Sequence, residues 1–248
     1  MSTTDIKSQD ITAPIYETFF SYQGEGPYTG MPQIFVRFAG CNIRCAYCDT
    51  AYALKASSKT PRLNASQLLA NIYSLAKKHK KKFMFGKPSV SITGGEPLVY
   101  ADFLSKFLPE LKRNGFSVYL ETNGTLPGQF EKIKSFCDIV STDFKFASEC
   151  KKSFWKEHKR FLSSAVKAKA EVFVKAVITG KTKLSEIKKS ADVIRAAAPG
   201  NNIAFILQPS AGISQPQPAQ IHAAYREASR LLKDARVMFQ MHKIFKIK

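Results

Sequence analysis

Three cysteines stand close together in the segment GCNIRCAYCDT: Cys41, Cys45 and Cys48, with C-x3-C-x2-C spacing. Three thiolates on one short loop can wrap one face of a metal centre, and two readings of such a set are open. A structural zinc site needs a fourth ligand, usually from a second Cys or His pair, and Cys137, Cys150 and His79 offer no such pair. A [4Fe–4S] cluster held by three cysteines keeps one iron open, and an open iron can chelate a small ligand or pass it an electron. Cys137 and Cys150 are isolated and read as plain thiols. An odd number of cysteines, three of them crowded together, suits metal or cluster ligation under reducing conditions better than a disulfide framework.

The elements that must hold this loop follow from the periodicity. From about residue 30 onward, apolar strand-like runs alternate with stretches of helical period, separated by Gly, Pro, Asn or Asp. Strands are expected at Gln33–Phe38, Ser89–Thr93, Phe116–Glu121, Asp138–Asp143, Glu171–Thr179, Ile203–Gln208 and Arg236–Met241. Helical faces come from Leu68, Leu69, Ile72, Leu75 and Ala76, then from Phe103, Leu104, Phe107, Leu108 and Leu111, a helix that Pro109 weakens. Further helices are expected over Ser153–Lys169, Leu184–Ala198 and Gln217–Lys233, and the lysine-rich runs 77–82 and 151–160 read as loops or exposed helix ends. The result is one α/β domain over residues 1–248, an open sheet or a full or partial parallel βα barrel, with residues 1–15 a flexible extension. The unusual polar clusters each follow a strand: the cysteines, Gly94-Gly95-Glu96, Thr122-Asn123, Ser141 to Lys145, Gln208-Pro209 and Gln240 to His242. In a parallel α/β fold such positions share the rim at the strands' C-terminal ends, so one site accounts for all of them.

Composition bounds the rest. The 248 residues carry 38 Lys plus Arg against 19 Asp plus Glu, a formal charge of +19, while 44% hydrophobic and 12% aromatic residues exclude a disordered basic polymer. The charge-free stretch 201–225 is broken by Pro209, Pro216 and Pro218, so no bilayer helix is expected there. The N-terminus MSTTDIKSQD shows no basic leader or apolar core of a secretory signal, which gives a cytoplasmic expectation. A charge of +19 could neutralise a phosphate backbone, and a basic nucleic-acid-binding protein with a structural metal site is one alternative. Aromatics interleave poorly with the lysine clusters, so a solvated face, with no direct nucleic-acid contact, is the expectation.

Cys41, Cys45 and Cys48 followed by Gly94-Gly95-Glu96-Pro97 resemble the radical S-adenosylmethionine superfamily. That resemblance implies a partial parallel βα barrel, a [4Fe–4S] cluster on the three cysteines and S-adenosylmethionine chelated to the open iron. It places Tyr47 on the adenine and Gly94, Gly95 and Glu96 at the methionine amino group. Phe20-Ser21-Tyr22-Gln23-Gly24-Glu25-Gly26-Pro27, Phe35-Val36-Arg37-Phe38, Cys48-Asp49-Thr50, Glu121-Thr122-Asn123-Gly124, Leu207-Gln208-Pro209 and the ending from Gln240 to Lys248 further resemble the 7-carboxy-7-deazaguanine synthases. These enzymes convert 6-carboxy-5,6,7,8-tetrahydropterin to 7-carboxy-7-deazaguanine with release of ammonia, in queuosine and 7-deazapurine biosynthesis. The resemblance implies substrate contacts from Gln23, Gly24, Glu25, Arg37, Thr93, His242 and Lys248, with Mg²⁺ on Thr50. It also implies S-adenosylmethionine contacts from Asn123, Ser141, Asp143, Lys145, Gln208 and Pro209. A pterin edge presents adjacent donors that a carboxylate such as Glu25 can accept in parallel, and Arg37 offers a fixed fork for a substrate carboxylate. The family often carries Ser-Pro-Lys where this chain has Asp143-Phe144-Lys145, which singles out Asp143. A homodimer and an acidic electron donor such as flavodoxin are implied as partners, the donor drawn by the basic surface. An activase that generates a glycyl radical on a partner protein shares the cluster chemistry and is the other alternative.

Overall fold

The structure is a computed structural model that describes residues 11–83, 88–200, 202–212 and 214–247. Nine strands form one sheet in the order β3-β1-β2-β4-β5-β6-β7-β8-β9. They are β1 (Ala13–Tyr22), β2 (Pro32–Phe38), β3 (Arg62–Leu63), β4 (Ser89–Gly94), β5 (Ser117–Thr122), β6 (Ile139–Asp143), β7 (Glu171–Ile178), β8 (Ala204–Pro209) and β9 (Ala235–Val237). From β2 to β9 all neighbours are parallel, and β1 pairs antiparallel with β2 and β3. With β3 and β9 left as edges, this is a partial parallel βα barrel of the expected class.

The intervening helices are α1 (Ala65–Lys78), α2 (Ala101–Arg113), α3 (Pro127–Phe130), α4 (Ala147–Cys150), α5 (Trp155–Lys167), α6 (Leu184–Ala197), α7 (Pro218–Ser229) and α8 (Met241–Ile244). Asn64 and Gln67 close a reciprocal capping box that starts α1. Pro109 does not break α2, because Ala101, Phe103, Leu104, Phe107, Leu108 and Leu111 are all buried. At about 1.5–3 kcal/mol for each large apolar side chain, that burial outweighs the ~3 kcal/mol of an interior proline.

Period-two alternation divides each strand between two cores. Val36, Ile92, Val118, Leu120, Val140, Val174, Phe205 and Leu207 face outward into the large core shared with the helices. Tyr119, Phe173 and Ile206 face inward and, with Tyr28 and Met238 against them, plug the floor of the barrel. Above that plug the inward positions become mostly polar, and the registers set them side by side: Arg37 by Thr93, Glu121 by Ser141 and Asp143 by Lys175, with Gln208 beside the apolar Val177.

Two expectations are corrected. The extension expected through residue 15 ends sooner: Ala13 and Ile15 are buried in β1, which pairs antiparallel with β3 at Ala13 and with β2 from Ile15 onward. Residues 1–10 lie outside the described set. The last strand stops at Val237 rather than Met241, because Gln240 turns inward to bond Glu25 and Asp49 and caps α8. Among the described residues no helix is long and apolar enough to cross a membrane.

Candidate active site

One cavity of about 450 Å³ opens above the plug, within the range of small-molecule sites. Its wall brings together Cys41, Cys45, Tyr47, Cys48 and Thr50 from the loop after β2 with Thr93, Gly94, Gly95, Asn123, Ser141, Asp143, Lys145 and Gln208 from the ends of β4, β5, β6 and β8. Gln23, Gly24, Glu25, Arg37 and His242 complete it. The expected rim is therefore one site.

The cysteine loop is seated on β4. Gly95 N–H donates to Phe38 O (3.1 Å) and Glu96 N–H to Gly40 O (2.8 Å), which extends the pairing of β4 past its last residue. A Cβ on Gly95 would lie 2.2 Å from Gly40 O and 3.0 Å from the Cys41 Cβ, so glycine there is what permits the approach. Asn42 ties the same loop to β5: its side-chain oxygen accepts from Asn123 Nδ2 (2.9 Å) and its amide donates to Thr125 Oγ1 (2.8 Å).

Alternation places Asp143 and Lys145 on the cavity while Phe144 between them is fully buried, stacked on His158 at 4.3 Å. Lys145 Nζ lies 2.8 Å from Asp143, donates to the Tyr47 hydroxyl at 3.2 Å and sits 5.1 Å over the Tyr47 ring. Burial alone would depress the Lys145 ammonium, but Asp143 reverses this and holds it well above its ordinary value. The opposite oxygen of Asp143, Oδ1, and Oε1 of Gln208 are buried without hydrogen-bond partners, so two acceptors wait on this wall for donors from a ligand.

The other half of the cavity is carboxylate-rich. Glu121 accepts from Gln23 Nε2 (2.9 Å), Ser91 Oγ (3.0 Å) and Thr93 Oγ1 (3.0 Å). Glu25 accepts from Lys175 and from Gln240 Nε2 (2.7 Å). Burial pushes the Glu25 carboxyl up, but the Lys175 ammonium and the two hydrogen bonds outweigh it and bring the pKa down to about 2. Arg37 donates through Nε to Glu17 at 2.9 Å and lies 5.7 Å from the Phe19 ring. Met241 N–H bonds Gly24 O (2.9 Å), and Lys243 pairs with Asp49 (2.9 Å), so the C-terminal segment closes over the Gln23–Glu25 turn.

Residues 35–194 match the radical SAM superfamily. A 7-carboxy-7-deazaguanine synthase of Geobacter sulfurreducens is 32% identical over 93% of this chain and 96% of its own length, and one of Archaeoglobus fulgidus is 35% identical over 93% and 97%. The chain belongs to the 7-carboxy-7-deazaguanine synthase family of radical SAM enzymes. The fold agrees: QueE from Escherichia coli superposes with a TM-score of 0.63 at 22% identity, covering 98% of this chain and 100% of that one.

A family member carries a [4Fe–4S] cluster and S-adenosylmethionine, and this wall fits them. Three free thiols, Gly94 and Gly95 and the two orphaned acceptors line one cavity. Two expected contacts, Glu96 and Pro209, are not on the wall. Glu96 is fully buried beneath it, its carboxylate accepting from Leu98 N–H (3.0 Å), Thr122 Oγ1 (2.7 Å) and Asn123 N–H (2.7 Å). Burial raises that carboxyl to about 7. Glu96 thus holds the loop that presents Asn123. Pro209 is buried behind Gln208 and Ser210, which do line the cavity, and Lys248 lies outside the described residues.

Sequence reasoning assigned no site role to Asn42, Asp49, Glu121 and Lys175, while Gln240, expected on the rim, does line the cavity. Glu121 and Lys175 had a signal: each is a charged residue that follows an apolar run within its strand, at the inward phase of its alternation. His158 had none. Buried on α5, it donates from Nε2 to the Asn123 carbonyl (3.1 Å), and burial lowers its pKa to about 3, so it holds that loop as a neutral ring. Cys150, read as isolated, lies 3.2 Å from Cys45.

Proposed function

We propose that this chain is a 7-carboxy-7-deazaguanine synthase that converts 6-carboxy-5,6,7,8-tetrahydropterin to 7-carboxy-7-deazaguanine with release of ammonia. The observation that carries this reading is that the three thiols share one cavity with the Gln23, Glu25, Glu121 and Arg37 set, whose donors and acceptors match a carboxylated pterin. Held by these residues, the cluster and S-adenosylmethionine would supply radical hydrogen abstraction at C6 of the substrate. The chain's residues do the rest by binding and orientation.

Glu25 keeps lone pairs beyond those given to Lys175 and Gln240, since a carboxylate has about four acceptor sites, and these face the pterin's donor edge. Glu121 holds Gln23 and Thr93 in fixed rotamers beside it, which preorganises the same edge. Arg37 gives Nε to Glu17 and offers its terminal nitrogens to the substrate carboxylate. Asp143, Lys145, Tyr47, Asn123 and Gln208 hold S-adenosylmethionine. The α8 segment, lying over Gly24, keeps water from the reacting atoms. Thr50, on the wall beside Cys48, is the Mg²⁺ ligand in this reading, a single neutral oxygen suited to a mostly hydrated ion. The whole chain acts as one radical SAM domain, as a cytoplasmic homodimer, and its +19 surface draws an acidic electron carrier such as flavodoxin.

The test is anaerobic reconstitution with iron and sulfide, then addition of S-adenosylmethionine, reductant, Mg²⁺ and carboxytetrahydropterin. The ultraviolet spectrum of a deazaguanine is the expected result. S-adenosylmethionine cleavage without that product sinks the assignment and leaves the glycyl-radical activase as the reading to pursue.

A further inference from the structure

Five cysteines are present, and the ligation of a cluster uses three. Of the other two, Cys137 is buried against α3 and the following turn, its thiol on Ile133 O at 3.6 Å. Cys150 is different. It ends α4 with its Sγ 3.2 Å from the Sγ of Cys45, and both residues are partly exposed.

This contact is imposed by the backbone. Ala46 N–H donates to Glu149 O (3.2 Å), which fixes residues 45 and 46 against the end of α4. The helix is itself anchored: Glu149 accepts from Thr179 Oγ1, and Ser148 gives both its N–H (3.0 Å) and its hydroxyl (2.7 Å) to Glu186. Lys151 then takes a left-handed conformation (φ 57°), which ends the helix directly after Cys150.

We infer that Cys45 and Cys150 form a reversible disulfide when Cys45 holds no iron, a redox modification site built into the cluster loop. Side-chain rotations at the two residues close 3.2 Å to the roughly 2.05 Å of an S–S bond. The oxidant is a low-molecular-weight disulfide such as oxidised glutathione. The Cys45 thiolate attacks it, releases one glutathione thiol and leaves a mixed disulfide. Cys150, as thiolate, then attacks the Cys45 sulfur and releases the second. Two thiols lose two electrons and two protons, and one glutathione disulfide becomes two thiols. The bond removes Cys45 from the ligand set until it is reduced, and it keeps that sulfur off the irreversible steps of the oxidation ladder. The inference concerns the cluster-free chain and does not depend on which substrate the loaded enzyme uses.

The test uses full-length Cys41→Ala/Cys48→Ala protein, which keeps Cys45, Cys137 and Cys150. It is equilibrated with mixed reduced and oxidised glutathione, quenched in acid, alkylated and mapped by mass spectrometry. The linked Cys45–Cys150 peptide pair is expected in about tenfold excess over glutathionylated Cys45, as proximity of the second thiol dictates. With Cys150→Ser added, glutathionylated Cys45 becomes the main product. Glutathionylated Cys45 beside an alkylated Cys150 in the protein that retains both overturns the inference. Cluster-free wild-type protein gives a second reading that does not rely on the variants: after oxidation the same linked peptide appears and vanishes with dithiothreitol. Its absence there while other cysteine pairs form overturns the inference equally.

Discussion

Lys175 and Glu25, 150 positions apart in the chain, meet as a largely buried ion pair, and Asp143 stands 3.5 Å from the same ammonium. With Lys145 on the far side of Asp143, charges alternate along the wall from the Tyr47 side to the Gln23–Glu25 turn. The expected S-adenosylmethionine half and the expected substrate half of the cavity are thereby coupled through two lysines.

Lys175→Met leaves Glu25 buried with Gln240 as its remaining hydrogen-bond donor. The expected loss is about 3 kcal/mol of stability, the cost of stranding one charge of a buried pair, together with a raised KM for the pterin. Lys175→Met/Glu25→Gln recovers part of the stability but not the KM. Urea unfolding and steady-state kinetics on the four proteins of the cycle measure both.

Acid and neutral pH act on different carboxyls. Glu25 titrates at about 2 in the fold against an ordinary 4.5, so its contribution is complete above 4.5 and is lost as pH falls toward 2. Glu96 is shifted the other way, to about 7, so the native state holds its proton longer than the unfolded chain and stability declines from pH 4.5 to 7. Urea midpoints from pH 3 to 8 should show both limbs. Glu25→Gln is expected to flatten the acid one.

Glu96→Gln should remove the decline between pH 4.5 and 7 and cost about 2 kcal/mol at pH 5. Its amide group must face the Asn123 N–H or the Leu98 and Thr122 donors, leaving a buried donor unpaired. A KM increase for S-adenosylmethionine, with iron content unchanged, would mark the displaced Asn123 loop.

Gly95→Ala tests the seat of the cysteine loop. Its methyl would sit 2.2 Å from Gly40 O, backbone that moves only with the Cys41 loop. Reconstituted iron per chain should drop severalfold while the far-ultraviolet circular dichroism stays that of the wild type.

Lys145→Met removes the ammonium between Asp143 and Tyr47. Affinity for S-adenosylmethionine, measured by equilibrium dialysis on the reconstituted protein, should fall by on the order of tenfold, about 1.4 kcal/mol. Unchanged affinity would move Lys145 out of that half of the site.

Read alone, the residues determined a good deal. Cys41, Cys45 and Cys48, the paired glycines at 94 and 95, and the polar ends of β4, β5, β6 and β8 were all legible, because a parallel strand is an apolar run and its punctuation marks the rim. The strand β1 was not. Its reversal against β2 and β3 is a pairing that local periodicity does not encode, and it buries Ala13 and Ile15 and aims Gln23 and Glu25 into the barrel. Nor could the motif tell that Glu96 lies under the wall rather than on it, since a helix cap and a ligand contact call for the same residue type. The pairings of Glu25 with Lys175, His158 with Asn123, and Cys45 with Cys150 were decided only by the tertiary structure. Each joins residues more than thirty positions apart, and their proximity follows from strand order and register, which no local pattern of side chains carries.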